Sequence, residues 1–204
     1  MIYYFSDLDM ITEKNIDMYL AMLPELRRKK ALNYRFLSGK VTCIIAYLLF
    51  LYGYRNEYGY KDTPDFDTKE NGKPYLINHP DIHFNISHCS KAVVCAFSKN
   101  EIGIDIETSR KTTPALIKKV CSDEEIYEIN NSSNPELSFC KIWTEKEAVS
   151  KLSGEGISSD LKKINSNGTY TQSYFYEPDM YITIASNKME AIEINHIKLS
   201  EFEF

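Results

Sequence analysis

Apolar positions along the chain change period repeatedly, and each change marks a predicted element. Met1 to Phe5 reads as a short strand, Thr12 to Met22 as a helix, and Pro24 to Tyr34 as a second helix with proline in its first turn. The apolar run from Val41 to Tyr52 predicts a buried helix that follows Gly39 and ends at Gly53. Gly53 to Asp67, rich in Tyr, Gly and Asp, reads as loop with at most one brief strand. His83 to Ile86 and Ala92 to Phe97 are predicted strands, the second apolar enough to be buried on both faces. The turn Ser98-Lys99-Asn100 leads into Ile102 to Glu107, which alternates apolar and acidic side chains as a strand does. Helices follow at Pro114 to Val120, at Ser122 to Asn130 with Ser122 and Glu125 spaced as a capping box, and at Glu136 to Leu152, expected to be the longest. Ser166-Asn167-Gly168 reads as a hairpin-type turn between strands, with further strands around Tyr181 to Ala185 and Ala191 to Leu199.

Length and composition narrow the picture. The 204 residues, 43% apolar, suffice for one large domain or two small ones, and the only boundary suggested lies near Ser98 to Glu101. A net charge of −5 gives no global basic field, so no nucleic-acid partner is expected and any bound anion must be held locally. Five cysteines without a C-x-x-C pair or metal-ligand spacing fit a reduced cytoplasm. The start of the chain has no secretory pattern, and the run from Val41 to Tyr52 is shorter than the roughly 20 residues a membrane span needs. No membrane partner is expected.

Chemistry concentrates in four places. Asp105 and Glu107, two apart on a strand, leave the same face roughly 6.5–7 Å apart at the backbone, while Ile104 and Ile106 point the other way. Taken alone such a pair is more often an ordinary solvated strand face; as a convergent pair, the two anions would call for a hard divalent cation. Glu147 and Lys151, four apart on the long helix, share a face and read either as a surface ion pair or as a metal ligand beside a phosphate contact. Lys73 sits in the stiff turn Asn71-Gly72-Lys73-Pro74, and Asn85-Ile86-Ser87-His88 offers amide, hydroxyl and imidazole donors at a strand end. His79, His83 and His88 lack the register and the cysteines of a zinc site, and Trp143 is expected to anchor the core.

Taken in order, Gly72-Lys73-Pro74, Phe84-Asn85-Ile86-Ser87-His88, Ile102-Gly103-Ile104-Asp105-Ile106-Glu107 and Trp143 to Lys151 resemble the surfactin-type 4'-phosphopantetheinyl transferases, from about Pro24 to Ile157. The resemblance implies an α+β fold of two similar halves related by a pseudo-two-fold, here 1–100 and 101–204, with coenzyme A in the cleft between them. It implies Asp105, Glu107 and Glu147 as ligands of Mg2+, which Mn2+ could replace, and Lys151 at the pyrophosphate. Lys73, Ser87 and His88 are implied as nucleotide-phosphate ligands, and Arg35, in Arg35-Phe36-Leu37-Ser38-Gly39, and Lys29 as further basic contacts. The chain departs from the family at Cys89, where serine is usual, in a short segment from Lys30 to Arg35, and at Gly154-Glu155-Gly156, which has an acid where lysine is frequent.

The implied reaction moves the phosphopantetheine arm of coenzyme A onto a serine of an apo acyl, peptidyl or polyketide carrier protein, releasing 3',5'-ADP. Glu147 is the first candidate for the base that takes the serine proton. Glu125 is the second, although its capping-box position explains it equally well. Two alternatives compete: a metal-dependent phosphoesterase acting on coenzyme A, and a degenerate module that only binds coenzyme A or a carrier. Two fused halves make a monomer sufficient. The sequence names neither carrier nor pathway.

Overall fold

The computed structural model describes residues 1–154, 161–164, 168–176, 178–189 and 191–202. Its strands are β1 (Ile2–Phe5), β2 (Phe66–Thr68), β3 (Pro74–Leu76), β4 (His83–His88), β5 (Val93–Ser98), β6 (Ile102–Thr108), β7 (Tyr170–Tyr176), β8 (Met180–Ser186) and β9 (Ile194–His196). Its helices are α1 (Ile16–Ala21), α2 (Glu25–Leu32), α3 (Leu37–Tyr58), α4 (Pro114–Val120), α5 (Asp123–Asn131) and α6 (Pro135–Ser153). The mixture is α+β, as expected.

Two sheets lie back to back between two long helices. The first has the order β4-β5-β1-β9, antiparallel except for the parallel pair β1/β9, and the second the order β6-β8-β7, antiparallel throughout. One face of the first sheet, carrying Phe5, Phe84, Cys95 and Phe97, closes on α3 through Ile45, Leu48 and Leu49. Its other face sends Ile2, Val94 and Ala96 against Ile104, Ile106, Ile182 and Ile184 of the second sheet. The far face of the second sheet packs on α6. The buried β5 follows directly: it has a helix on one side and a sheet on the other, so every residue must be covered. The last strand, β9, lies beside β1, so residues near the C-terminus complete the sheet that the N-terminus begins.

Several elements differ from the sequence expectation. The longest helix is α3, with 22 residues, and not α6, with 19. Gly53 lies inside α3, where the Phe97 and Tyr3 rings leave no room for a side chain: an added methyl would stand 2.9 Å from each ring's Cδ2. The helix stops at Gly59, which takes the left-handed conformation of a C-cap. At this length α3 is apolar and long enough to cross a membrane, yet Ile44, Ile45, Leu48 and Leu49 are fully enclosed within the protein. The first helix begins only at Ile16, because Asn15 accepts the Thr12 backbone N–H at 2.7 Å and holds a turn there. The strand expected around Ala191 to Leu199 shrinks to β9 and is followed by a 3-10 turn, Leu199–Phe202. β2 overlaps the end of the stretch where one brief strand was expected, and its partner β3 lies beyond that stretch, where none was expected. Ser166 and Asn167 of the expected hairpin turn, and Glu155 and Gly156, lie outside the described residues.

Candidate active site

The alternation in β6 decides which side chains reach the site. Ile102, Ile104 and Ile106 enter the core between the sheets, so Gly103, Asp105 and Glu107 face the layer that α6 occupies. Gly103 is where that helix comes closest: a methyl there would lie 2.6 Å from the Leu152 backbone nitrogen. α6 starts on Asn134, whose side chain accepts the Leu137 N–H, and ends at Gly154 in the left-handed region. Between these caps Glu147 and Lys151, one turn apart, share the face turned to β6.

The first sheet supplies the third side. β4 and β6 are edge strands of their own sheets and meet through side chains: Asn85 accepts the Ile104 N–H at 2.9 Å, and Ser87 donates its hydroxyl to Asp105 Oδ1 at 2.7 Å. Lys151 Nζ donates to the same Oδ1 and to Ser87 Oγ, each at 2.7 Å. Asp105 is 5% exposed and Glu147 6%, and Asp105 Oδ2 and Glu147 Oε1 are both buried with no hydrogen-bond partner. A buried carboxylate oxygen without a donor is costly, so these two atoms call for a ligand. Burial holds the Glu147 carboxyl above its ordinary pKa, with Asp105 and Glu107 adding and Lys151 opposing. Burial likewise raises Glu107, with Arg110 opposing and Asp105 adding. The three carboxylates therefore feel one another, although among the described residues no three His, Cys, Asp or Glu side chains converge into a ready-made metal cage.

A cleft of about 920 Å3 adjoins this cluster. Arg27, Lys30, Ser38, Thr42, His88 and Glu107 are among its walls, drawn from α2, the start of α3 and the ends of β4 and β6. Successive residues of β4 point to opposite sides, so Ser87 joins the carboxylates while His88 faces the cleft. Burial and nearby Lys151 keep the His88 pKa below its ordinary value, with Asp105 pulling the other way.

Other predicted residues lie elsewhere. Lys73 is not in the cleft: its ammonium donates to Glu101 Oε2, the Ile102 carbonyl and the Leu152 carbonyl at 2.8, 3.1 and 3.3 Å. Glu125 completes its capping box by accepting the Ser122 N–H at 2.7 Å and pairs with Lys146 at 2.9 Å, so both oxygens hold structure and neither reaches the carboxylates. Lys29 is turned outward on a 2.6 Å ion pair with Glu25, and Arg35 stacks over the Phe36 ring on the surface. Arg27 and Lys30 hold the cleft positions instead. That face of α2 was signalled by Ala31, its one buried residue, which lies beside Arg27 one turn away. Ser38 and Thr42, four apart at the polar start of an otherwise apolar α3, carried the corresponding signal there.

Comparison with known proteins gives concordant matches. The family model described as the 4'-phosphopantetheinyl transferase superfamily matches residues 101–190. The chain is 38% identical over 98 residues to the 4'-phosphopantetheinyl transferase Sfp of Bacillus subtilis (strain 168), covering 47% of this chain and 44% of that protein. It is 30% identical over 152 residues to the 4'-phosphopantetheinyl transferase psf-1 of Bacillus pumilus, covering 66% and 64%. It is 30% identical over 172 residues to the L-aminoadipate-semialdehyde dehydrogenase-phosphopantetheinyl transferase of Candida glabrata, covering 79% and 64%. The chain thus spans about half to two thirds of the length of these relatives.

Proposed function

We propose that the chain, whose residues 101–190 match the 4'-phosphopantetheinyl transferase superfamily, transfers the phosphopantetheine arm of coenzyme A to a serine of an apo carrier protein. The observation that carries this reading is the pair of orphaned, buried oxygens, Asp105 Oδ2 and Glu147 Oε1, beside a cleft whose walls include Arg27, Lys30 and His88. Hard oxygen donors crowded enough to raise one another's pKa suit a divalent cation completed by water and phosphate oxygens, with Mg2+ the natural choice and Mn2+ a substitute. Asp105, Glu107 and Glu147 would hold it. When bound, such an ion supplies charge for the pyrophosphate and its leaving group.

The chain's own residues do the remainder. Arg27 and Lys30 give local positive charge for the nucleotide phosphates in a protein of net charge −5, and His88 adds a donor. Lys151, oriented by Asp105 and Ser87, is placed to meet charge growing on the leaving phosphate. The carrier serine forms a bond to the phosphorus that bears pantetheine, the bond to 3',5'-ADP breaks, and the serine proton passes to Glu147, directly or through water. Glu147 is suited to that because burial holds its pKa above the ordinary glutamate value, which makes it a stronger base than an exposed carboxylate. The partners are coenzyme A and an acyl, peptidyl or polyketide carrier, a monomer suffices, and the cytoplasm is the compartment that holds both.

Intact-mass spectrometry of apo carriers incubated with the protein, coenzyme A and Mg2+ tests this. The expected result is a gain of one phosphopantetheine per carrier, abolished by a chelator. Loss of coenzyme A without any gain on a carrier would replace the transferase by a phosphoesterase.

A further inference from the structure

Lys73 is 8% exposed at its side chain, and its ammonium points away from the cleft into the seam between the two sheet-and-helix layers. It is carried by the turn of the β2/β3 hairpin, where Gly72 takes φ +83°, Asn71 Oδ1 accepts the Lys73 N–H at 3.1 Å and Lys69 N–H donates to the Lys73 carbonyl at 2.9 Å. That turn rests on the C-terminal end of α6: a methyl at Gly154 would stand 2.8 Å from Asn71 Cγ. There the ammonium accounts for three acceptors. One is the Leu152 carbonyl, in the last turn of α6, where a cation also meets the negative end of the helix dipole. Another is the Ile102 carbonyl at the start of β6. The third is Glu101, which Lys69 also contacts at 2.7 Å and which lies 3.6 Å from His83 Nδ1. Despite its partial burial, these lysines hold the Glu101 carboxyl down to a pKa of about 2, so the anion persists at any working pH.

The two carbonyls belong to the elements that build the site. Leu152 follows Lys151 directly, and Ile102 lies three residues before Asp105. We propose that Lys73 is a positioning residue, a clamp from the first layer that fixes the end of α6 against the start of β6 so that Lys151 and Glu147 meet Asp105, and that it is not a ligand of coenzyme A. The kinetic part of this inference rests on the transferase reading; the clamp itself does not.

The test uses Lys73→Met, Glu101→Gln and the double variant, with calorimetric coenzyme A binding, transfer kinetics and amide exchange in residues 148–153. Lys73→Met should leave coenzyme A affinity within about twofold while kcat falls about tenfold or more. Glu101→Gln should shift kcat in the same direction, and the double variant should be no worse than Lys73→Met, because one clamp is removed only once. Exchange in the last turn of α6 should rise in each variant. A tenfold or greater loss of coenzyme A affinity with kcat retained would make Lys73 a ligand and overturn the proposal. Unchanged exchange would overturn it as well. If Lys73→Met folds poorly, Glu101→Gln, which leaves the buried ammonium in place, carries the same measurements. If the unmodified protein transfers nothing, the transferase reading fails and the exchange result alone decides the clamp.

Discussion

One oxygen of Asp105 is saturated by a hydroxyl and an ammonium, while the other, like Glu147 Oε1, is buried without a donor. Mutual repulsion among Asp105, Glu107 and Glu147 is thus built into the folded protein. Glu147→Gln keeps the shape and removes one charge, so it should raise the melting temperature of the metal-free protein by about 2–4 °C, which corresponds to ~1 kcal/mol in a chain of this size. The same variant should lose transfer and any thermal shift with Mg2+; differential scanning fluorimetry with and without the ion reads both. A variant that melts lower and still responds to Mg2+ would remove Glu147 from the ion's shell. These acidic residues were legible in the sequence because they stand on regular elements, where spacing fixes direction. Lys73 and Arg35 stand outside long elements, so their direction depends on tertiary partners that no local pattern encodes. Lys29 differs from Arg27 and Lys30 in helical phase on α2: it faces solvent on Glu25 while they line the cleft, a distinction that needs the packed helix.

Among elements, the contact of β6 with α6 has the least tolerance. Gly103 leaves the space that the Ala148 carbonyl and the Leu152 nitrogen fill, and it shares its strand face with Asp105 and Glu107. Gly103→Ala must therefore push the helix outward and carry Glu147 and Lys151 away from Asp105. The expected cost is about 1–3 kcal/mol of stability, as for other overpacked sites, and a larger proportional loss of transfer than of melting temperature. Chemical denaturation and the carrier mass assay on the same sample measure the two. The motif Ile102-Gly103-Ile104-Asp105 announced a strand, but the role of its glycine needed the helix. The same holds for Gly53, read as a helix end by its local preference, whereas it lies within α3 at a point where the Phe97 and Tyr3 rings leave no room for a side chain. β9 was expected as a longer strand, Ala191 to Leu199, and its true extent is set by parallel pairing with β1, a long-range contact that no local pattern encodes.

At the scale of the whole molecule, stability, pH and metal are linked through the same carboxylates. Glu107 and Glu147 have folded pKa values above the ordinary glutamate value, so the native state holds their protons more tightly than the unfolded chain does. Their contribution to stability therefore falls as pH rises from the ordinary glutamate range through the raised values. His88 acts with the opposite slope: its pKa is lowered, so the native state binds less proton and gains stability as pH rises toward the ordinary histidine value. Glu101, held near 2, is ionised in both states above the ordinary range and adds no slope there. A divalent ion binds the deprotonated carboxylates and relieves the penalty, whereas at low pH protons compete for the same oxygens. The melting-temperature shift produced by Mg2+ should accordingly be small near pH 5 and grow toward pH 8. At about 100-fold excess over Kd the full stabilisation is about 2.7 kcal/mol, or about 5–10 °C for a chain of this length. His88→Gln should remove the rising contribution below the ordinary histidine value from the metal-free profile, leaving the fall due to the carboxylates unopposed, without abolishing the growth of the shift. A shift of equal size at both pH values would mean that the ion binds away from Glu107 and Glu147.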